Sequence, residues 1–149
     1  MENLANTSRE TFVVELSEVL PELYAAAWKL PQTQVTSDEL ISDTYGIDEH
    51  MRLFNALREK LGDWDVYCCV FDPMTDKEAI TCNLADDLAD IYRDVRQCSE
   101  GIAAGAALSD VIWEMRVGFE THWGRHLTNA LAVVHELRLR VPQTARSEE

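Results

Sequence analysis

Apolar residues recur every three or four positions along most of this chain, a spacing that favours a fold built from packed helices. The two longest series lie in its second half. One consists of Leu84, Leu88, Ile91, Val95 and Cys98, and the other of Val111, Met115, Phe119, Leu127, Leu131, Val134 and Leu137. Each series forms an apolar stripe that must be buried against other helices. We therefore predict a mainly α-helical, up-and-down bundle.

Capping signals and helix breakers set the expected ends of the first helices. Thr7-Ser-Arg-Glu10 has the capping-box pattern that opens a helix. Pro21 should kink or split that helix, because proline lacks an N–H and clashes with the preceding turn, and Pro31 should end it. A further helix is expected over about 48–61, with Gly62 as its C-terminal cap.

The remaining helices follow from similar signals. A second capping box, Thr36-Ser-Asp-Glu39, precedes a short apolar stretch that Tyr45-Gly46 ends. A long helix is predicted over about 83–100, with a break in the glycine-containing segment 101–105. The last helix should open at Ala107 or Ser109 and run without interruption to about Arg140.

The pattern changes between Trp64 and Cys82. Residues 66–71 form a short β-prone run, Asp72-Pro73 begins a polar turn, and residues 79–81 can return as a second strand. We expect a small hairpin or an extended crossover there, inserted in a single domain that spans 1–149. Residues 143–149 are polar and are expected to be a frayed tail.

Composition limits the classes of partner. The net charge of −14, with only thirteen basic residues, disfavours binding to nucleic acid or to an anionic membrane. No apolar run approaches the ~20 residues that span a bilayer, and the N-terminus lacks the features of a signal peptide. We therefore expect a cytoplasmic protein that is complete from its first methionine. Its four cysteines, with no C-x-x-C spacing, are expected to be reduced and buried.

One group of polar residues indicates chemistry. Four aspartates fall within nine residues, at Asp86, Asp87, Asp90 and Asp94. His122 and His126 share one face of the last predicted helix. If the last two helices form an antiparallel hairpin that turns near Gly105, equal distances from the turn place both histidines within about one turn of the aspartates.

This cluster has two interpretations. In the first, the histidines and carboxylates pair with each other as a structural network, and no cofactor is needed. In the second, a divalent metal is held by four of them, namely Asp87, Asp90, His122 and His126. Glu114 and Glu120 are nearby reserves, and Trp123, which we interpret first as a core residue, could also wall a pocket.

Each interpretation implies a different function. The preferred one is a non-catalytic binding or interaction module whose partner is a protein or a small molecule. The alternative is a divalent-metal-dependent hydrolase acting on nucleotides or phosphate esters, with Glu114 or Glu120 as general base. A third hypothesis is a homodimer formed through the first helix.

Several motifs resemble those of an uncharacterised bacterial family known only as a domain of unknown function. They are Phe71-Asp72-Pro73, the run from Asn83 to Asp94, Phe119-Glu-Thr-His-Trp-Gly-Arg-His126, Ala130-Leu131 and His135. The resemblance covers about the second half of the chain, and the first half only in its helical pattern. It implies a small bacterial cytosolic helical protein and brings no activity with it.

Overall fold

The computed structural model describes residues 6–37 and 45–142. The expected tail at 143–149 and half of the second predicted capping box, Asp38 and Glu39, lie outside these ranges. The described helices are α1 Arg9–Trp28, α2 Ile47–Leu61, α3 Leu84–Ala103, α4 Leu108–Gly118 and α5 Gly124–Arg140. A 3₁₀ turn, Gly62–Trp64, follows α2, and a π-helical turn, Phe119–Trp123, joins α4 to α5. No helix in the described ranges is long and apolar enough to cross a membrane.

The helices form the predicted bundle around one apolar core. Helix α1 packs against α5, while α3 lies between α2 and α5. The most fully buried large apolar side chains come from every layer of the bundle and are Trp123, Leu61, Leu84, Leu127, Val13 and Val134. Burying one aliphatic side chain of this size contributes roughly 1.5–3 kcal/mol. The prediction of a mainly α fold is confirmed.

The predicted hairpin is also present. Strands β1 Val66–Val70 and β2 Ala79–Asn83 pair antiparallel, from Val66 opposite Asn83 to Val70 opposite Ala79. A disulfide joins Cys69 to Cys82, so the expectation of four reduced cysteines is wrong. The two residues are diagonal neighbours on one face of the ladder, a relation that only the strand register reveals.

Helix α1 differs from its prediction in two ways. Its N-cap is Ser8, whose Oγ accepts a hydrogen bond from the Thr11 backbone N–H at 3.0 Å, one residue later than the predicted cap. The helix also continues through Pro21 as one element, contrary to the expected kink or split. Pro21 is exposed, and Leu20 and Ala27, before and after it, are buried in the core. Burial on both sides of the proline offsets the lost hydrogen bond.

A buried carboxylate fixes the start of α3. Asp65 is 2% exposed, and its Oδ1 accepts a hydrogen bond from the backbone N–H of Ala85 at 2.8 Å. Its Oδ2 accepts from Asn83 Nδ2 at 2.8 Å, and its carbonyl accepts from the Leu84 N–H at 2.8 Å. These bonds satisfy N–H groups that the helix itself leaves free. They also set the register of α3, which carries all four clustered aspartates.

The last predicted helix is continuous but not uniformly α-helical. The backbone stays in the helical region through the π turn, at Phe119 (φ −62°, ψ −47°) and at Gly124 (φ −64°, ψ −31°). A Cβ at position 124 would lie 2.2 Å from the Phe119 carbonyl oxygen. Only glycine fits this close approach, and the prediction of a regular helix missed the turn because i→i+5 bonding leaves no periodic signal.

Candidate metal centre

The cluster is built by two antiparallel helical segments. Asp94 of α3 faces His122 of the π turn, and Asp87, two turns earlier in α3, faces His126 of α5. The histidine numbers rise as the aspartate numbers fall, as an antiparallel pair requires. The structure thus brings the predicted aspartates and histidines together at one interface.

His126 is oriented by the carboxylate of Asp87, which also accepts a hydrogen bond from Tyr67. Its Nδ1 lies 2.8 Å from Oδ1 of the buried Asp87, and the hydroxyl of Tyr67 donates to Asp87 Oδ2 at 2.5 Å. The hydrogen bond to Asp87 raises the pKa of His126 above its usual value, against the opposing effect of burial. Burial and the same carboxylate raise the pKa of Tyr67. When the Nδ1–H of a neutral His126 donates to Asp87, its Nε2 carries a free lone pair.

His122 repeats the arrangement one turn away. Its Nδ1 lies 2.7 Å from Asp94 Oδ2, and its ring centroid lies 5.0 Å from that of His126. Arg93 Nε donates to the other oxygen of Asp94 at 3.3 Å. The side chain of His122 is 42% exposed, so this edge of the cluster is open to solvent. In each histidine, therefore, Nδ1 is hydrogen-bonded to a carboxylate, and Nε2 is the nitrogen that can act as a ligand.

Asp90 lies between the two pairs and is not tightly bound to any neighbour. Its Oδ2 is 3.5 Å from His126 Nε2, and its Oδ1 is 3.8 Å from His50 Nε2 and 3.9 Å from an Arg93 terminal nitrogen. The Asp90 side chain is only 15% exposed. These separations are all too long for good hydrogen bonds, so this largely buried carboxylate has room beside it.

Within residues 6–37 and 45–142, one group of side chains meets the spacing expected of metal ligands. One donor atom from each of Asp90, His122 and His126 lies within 4.8 Å of the other two. Two imidazoles and one carboxylate are a common donor set for first-row transition metals. The four-residue set predicted from the sequence also contained Asp87, whose oxygens instead hold His126 and Tyr67.

The other sequence candidates occupy different places. Asp86 is exposed at the edge of the cluster, where desolvation and the charge of Asp90 raise its pKa. Glu120 forms an ion pair with Arg116 at 2.8 Å. Glu114 is half-buried near Cys98, whose pKa its charge helps to raise. Trp123 is 1% exposed and packs against Phe119 in the core.

Two residues at the cluster were missed by the sequence reasoning. His50 comes from α2 and Tyr67 from β1, so neither shares a helix with the aspartates or the other histidines. Strand alternation does place Tyr67 on the same face as Cys69, which indicates an inward side chain. No comparable signal marks His50, because the sequence does not show which helices pack together.

The chain belongs to the family described as Domain of unknown function (DUF5063), whose model matches residues 1–140. The crystal structure of protein BF1032 from Bacteroides fragilis is similar to it, with a TM-score of 0.80 and 26% sequence identity. That similarity covers 92% of this chain and 82% of the Bacteroides chain. The curated proteins include no match to this chain. The family and the helical fold are therefore established, and neither comparison carries an activity.

Proposed function

We propose that this family member is a metal-binding protein that holds one divalent transition-metal cation through Asp90, His122 and His126. The observation that carries the proposal is the separation of 3.5 Å between Asp90 Oδ2 and His126 Nε2. Two donors that each lie about 2.1 Å from one cation are about 3.4 Å apart in tetrahedral geometry. The gap is long for a hydrogen bond and suits two ligands of a shared ion.

The surroundings of the histidines support the same function. Metal-binding histidines usually donate their second ring N–H to a carboxylate, which fixes the tautomer and makes the free nitrogen more basic. Asp87 is the carboxylate that accepts this hydrogen bond from His126, and Asp94 is the one that accepts it from His122. In a purely structural network Asp90 would have only its longer contacts to His126, His50 and Arg93, at 3.5 to 3.9 Å.

Charge favours a cation over an anionic substrate. Four aspartates converge here, and the nearest arginine, Arg93, offsets only one of them. A divalent ion would relieve the repulsion among these carboxylates, whereas a phosphate ester would increase it. Two histidines and one carboxylate leave coordination positions open to water, and the exposed edge of His122 gives access to them.

Among the described residues, the two general-base candidates of the hydrolase alternative lie outside the group of clustered donors. Glu120 is paired with Arg116, and neither Glu120 nor Glu114 is among the three clustered donor residues. A metal site alone does not make a hydrolase, since a nearby group must also accept a proton from the attacking water. Metal binding is therefore the function that the geometry supports best.

The experiment uses protein purified without a histidine tag. Elemental analysis and calorimetric titration with Zn²⁺ and Mn²⁺ should give one bound cation per chain. His126→Ala should lose that cation, while His135→Ala, which changes an exposed histidine on the same helix, should keep it. Failure of the tag-free protein to bind either ion would remove the proposal.

A further inference from the structure

We infer that Tyr67 positions the metal-binding His126, and that the Cys69–Cys82 disulfide controls metal affinity through Tyr67. The inference rests on the proposed metal site and concerns its regulation. Three elements form one chain of contacts: the disulfide closes the hairpin, the hairpin carries Tyr67, and Tyr67 binds the carboxylate that orients His126.

Tyr67 acts on the carboxylate from the side opposite the histidine. Its hydroxyl donates to Asp87 Oδ2 at 2.5 Å, and Asp87 Oδ1 lies 2.8 Å from His126 Nδ1. With both oxygens engaged, the carboxylate plane is fixed and the His126 ring is held in one orientation. Removing the hydroxyl frees one oxygen to rotate toward other donors. Loss of such an outer partner typically weakens metal binding by about 10–100-fold.

The hairpin that presents Tyr67 depends on its cross-link. Its two strands are the whole sheet, and all ten of their residues are exposed or only partly buried. An isolated two-stranded hairpin is marginally stable in water. Tyr67 lies directly opposite Cys82 and two residues before Cys69, so the disulfide brackets it on the same face. Opening the disulfide therefore loosens the strand position from which Tyr67 reaches Asp87.

The switching step is thiol–disulfide exchange with a dithiol reductant. The reductant supplies two electrons and two protons, the Cys69–Cys82 S–S bond breaks to give two thiols, and the reductant closes its own disulfide. Cys68 has its side chain on the other face of β1 and is exposed, and Cys98 is buried in the core. Neither takes part in the exchange, so Cys68→Ser serves as the matched control.

The test measures the zinc dissociation constant by competition with a chromophoric chelator. Four proteins are compared in oxidised and in phosphine-reduced form: wild type, Cys68→Ser, Tyr67→Phe, and Cys69→Ser combined with Cys82→Ser. Phosphine reduction avoids a metal-binding thiol reagent, and the double serine variant removes the hairpin thiols as ligands. All four are first checked for a cooperative thermal unfolding transition.

We expect reduced wild type and the double serine variant to bind zinc about 10-fold more weakly than oxidised wild type. Tyr67→Phe should be weak in both forms, with no response to reduction, whereas Cys68→Ser should behave as wild type. The ¹⁵N shifts of the His126 ring should show a single Nδ1–H tautomer in oxidised wild type and a tautomer mixture in Tyr67→Phe. A merely structural tyrosine would leave those shifts unchanged.

Two results would overturn the inference. Equal zinc affinity in oxidised and reduced wild type, with zinc still bound, removes the disulfide control and leaves the proposed metal site intact. A redox response of the same size in Tyr67→Phe shows that Tyr67 is not the link. If no form binds zinc, the proposed function itself fails, which is a separate outcome.

Discussion

Asp65 and Asp90 are two largely buried aspartates, one just before β1 and one inside α3, and their surroundings differ in kind. Asp65 accepts hydrogen bonds at 2.8 Å on both oxygens, from Ala85 and Asn83. Asp90 has its charged neighbours at 3.5, 3.8 and 3.9 Å. Burying a carboxylate is costly unless close donors compensate for the lost water. Close donors within the fold compensate Asp65 for the lost water, whereas the neighbours of Asp90 are too distant to do so.

Asp110 repeats the satisfied pattern elsewhere in the molecule. Its two oxygens accept from the backbone N–H and hydroxyl groups of Thr36 and Ser37 at 2.7 to 3.1 Å. The Thr36 N–H and the Ser37 hydroxyl lower the pKa of Asp110 to about 2. Carboxylates with a structural role in this chain are thus recognisable by short bonds to neutral donors. Asp90 has no such bonds to the described residues, and that difference is what supports it as the proposed ligand.

The largest expected effect is a loss of zinc affinity when Asp90 is replaced, a loss that we do not expect when Asp65 is replaced. Asp90→Asn should weaken zinc binding by at least about 100-fold, because a neutral amide is a poor ligand and the centre loses its only anionic donor. The apo form should be as stable as wild type or slightly more so, since one of several clustered negative charges is gone. Calorimetric titration and chemical denaturation measure the two quantities. A variant that binds zinc normally would show that Asp90 is not a ligand.

The opposite behaviour is expected at Asp65. Asp65→Ala should lower the free energy of unfolding by roughly 2 kcal/mol, because it removes the cap of α3 and leaves the buried Ala85 N–H without a partner. Urea denaturation measures the loss. Zinc affinity of the folded fraction should stay within about threefold of wild type, since Asp65 does not contact the centre. Stability equal to wild type would contradict the structural role assigned to this carboxylate.

A pH series should give slopes of opposite sign with and without metal. Because the pKa of His126 is raised in the folded state, its contribution to stability is complete below its unfolded pKa of about 6.5 and is lost as pH rises through the folded value. Apo stability should therefore fall above about pH 6.5, by at most about 1.4 kcal/mol per unit. Zinc competes with the proton at His126, so its added stabilisation should grow over the same range.

Thermal unfolding between about pH 6 and 8.5, with a chelator and with excess zinc, gives both slopes. Asp110 stays ionised throughout this window, because its pKa is lowered to about 2. Parallel curves with and without zinc would mean that the cation does not bind where His126 titrates.

The smallest effect is expected at Glu120. Glu120→Gln removes an exposed ion pair with Arg116, which should cost less than about 0.5 kcal/mol in urea denaturation. Zinc affinity should be unchanged, because the residue lies outside the group of three ligands. A clear loss of zinc binding would indicate that Glu120 contributes to the metal site.

Much of the architecture could be predicted from the sequence because periodicity and capping are local signals. The α2 helix and its Gly62 cap, the hairpin, and the antiparallel pairing of α3 with the last helix follow the expected pattern. Counting from the turn near Gly105 predicted only that the histidines lie within about one turn of the aspartates, and the structure gives the pairs, Asp87 with His126 and Asp94 with His122. An equal rise on both sides of the turn does not specify how the two helices are rotated about their axes, so it does not fix which side chains pair.

The sequence could not predict which aspartate of the cluster orients a histidine and which is the candidate ligand. Sequence spacing made Asp87 and Asp90 equivalent candidates, and only coordinates show that Tyr67 and His126 occupy both oxygens of Asp87. His50 reaches Asp90 from α2 through tertiary packing. The Cys69–Cys82 pairing depends on strand register in the same way. Long-range contacts of this kind decide which polar groups are satisfied, and no local pattern records them.

Anomalous diffraction at the zinc absorption edge, from crystals of tag-free protein grown with zinc, tests the central claim most directly. We expect one peak between α3 and the last helix, about 2.1 Å from Nε2 of His122, Nε2 of His126 and one oxygen of Asp90. Density showing Asp90 hydrogen-bonded directly to His126, with no anomalous peak between them, would contradict it.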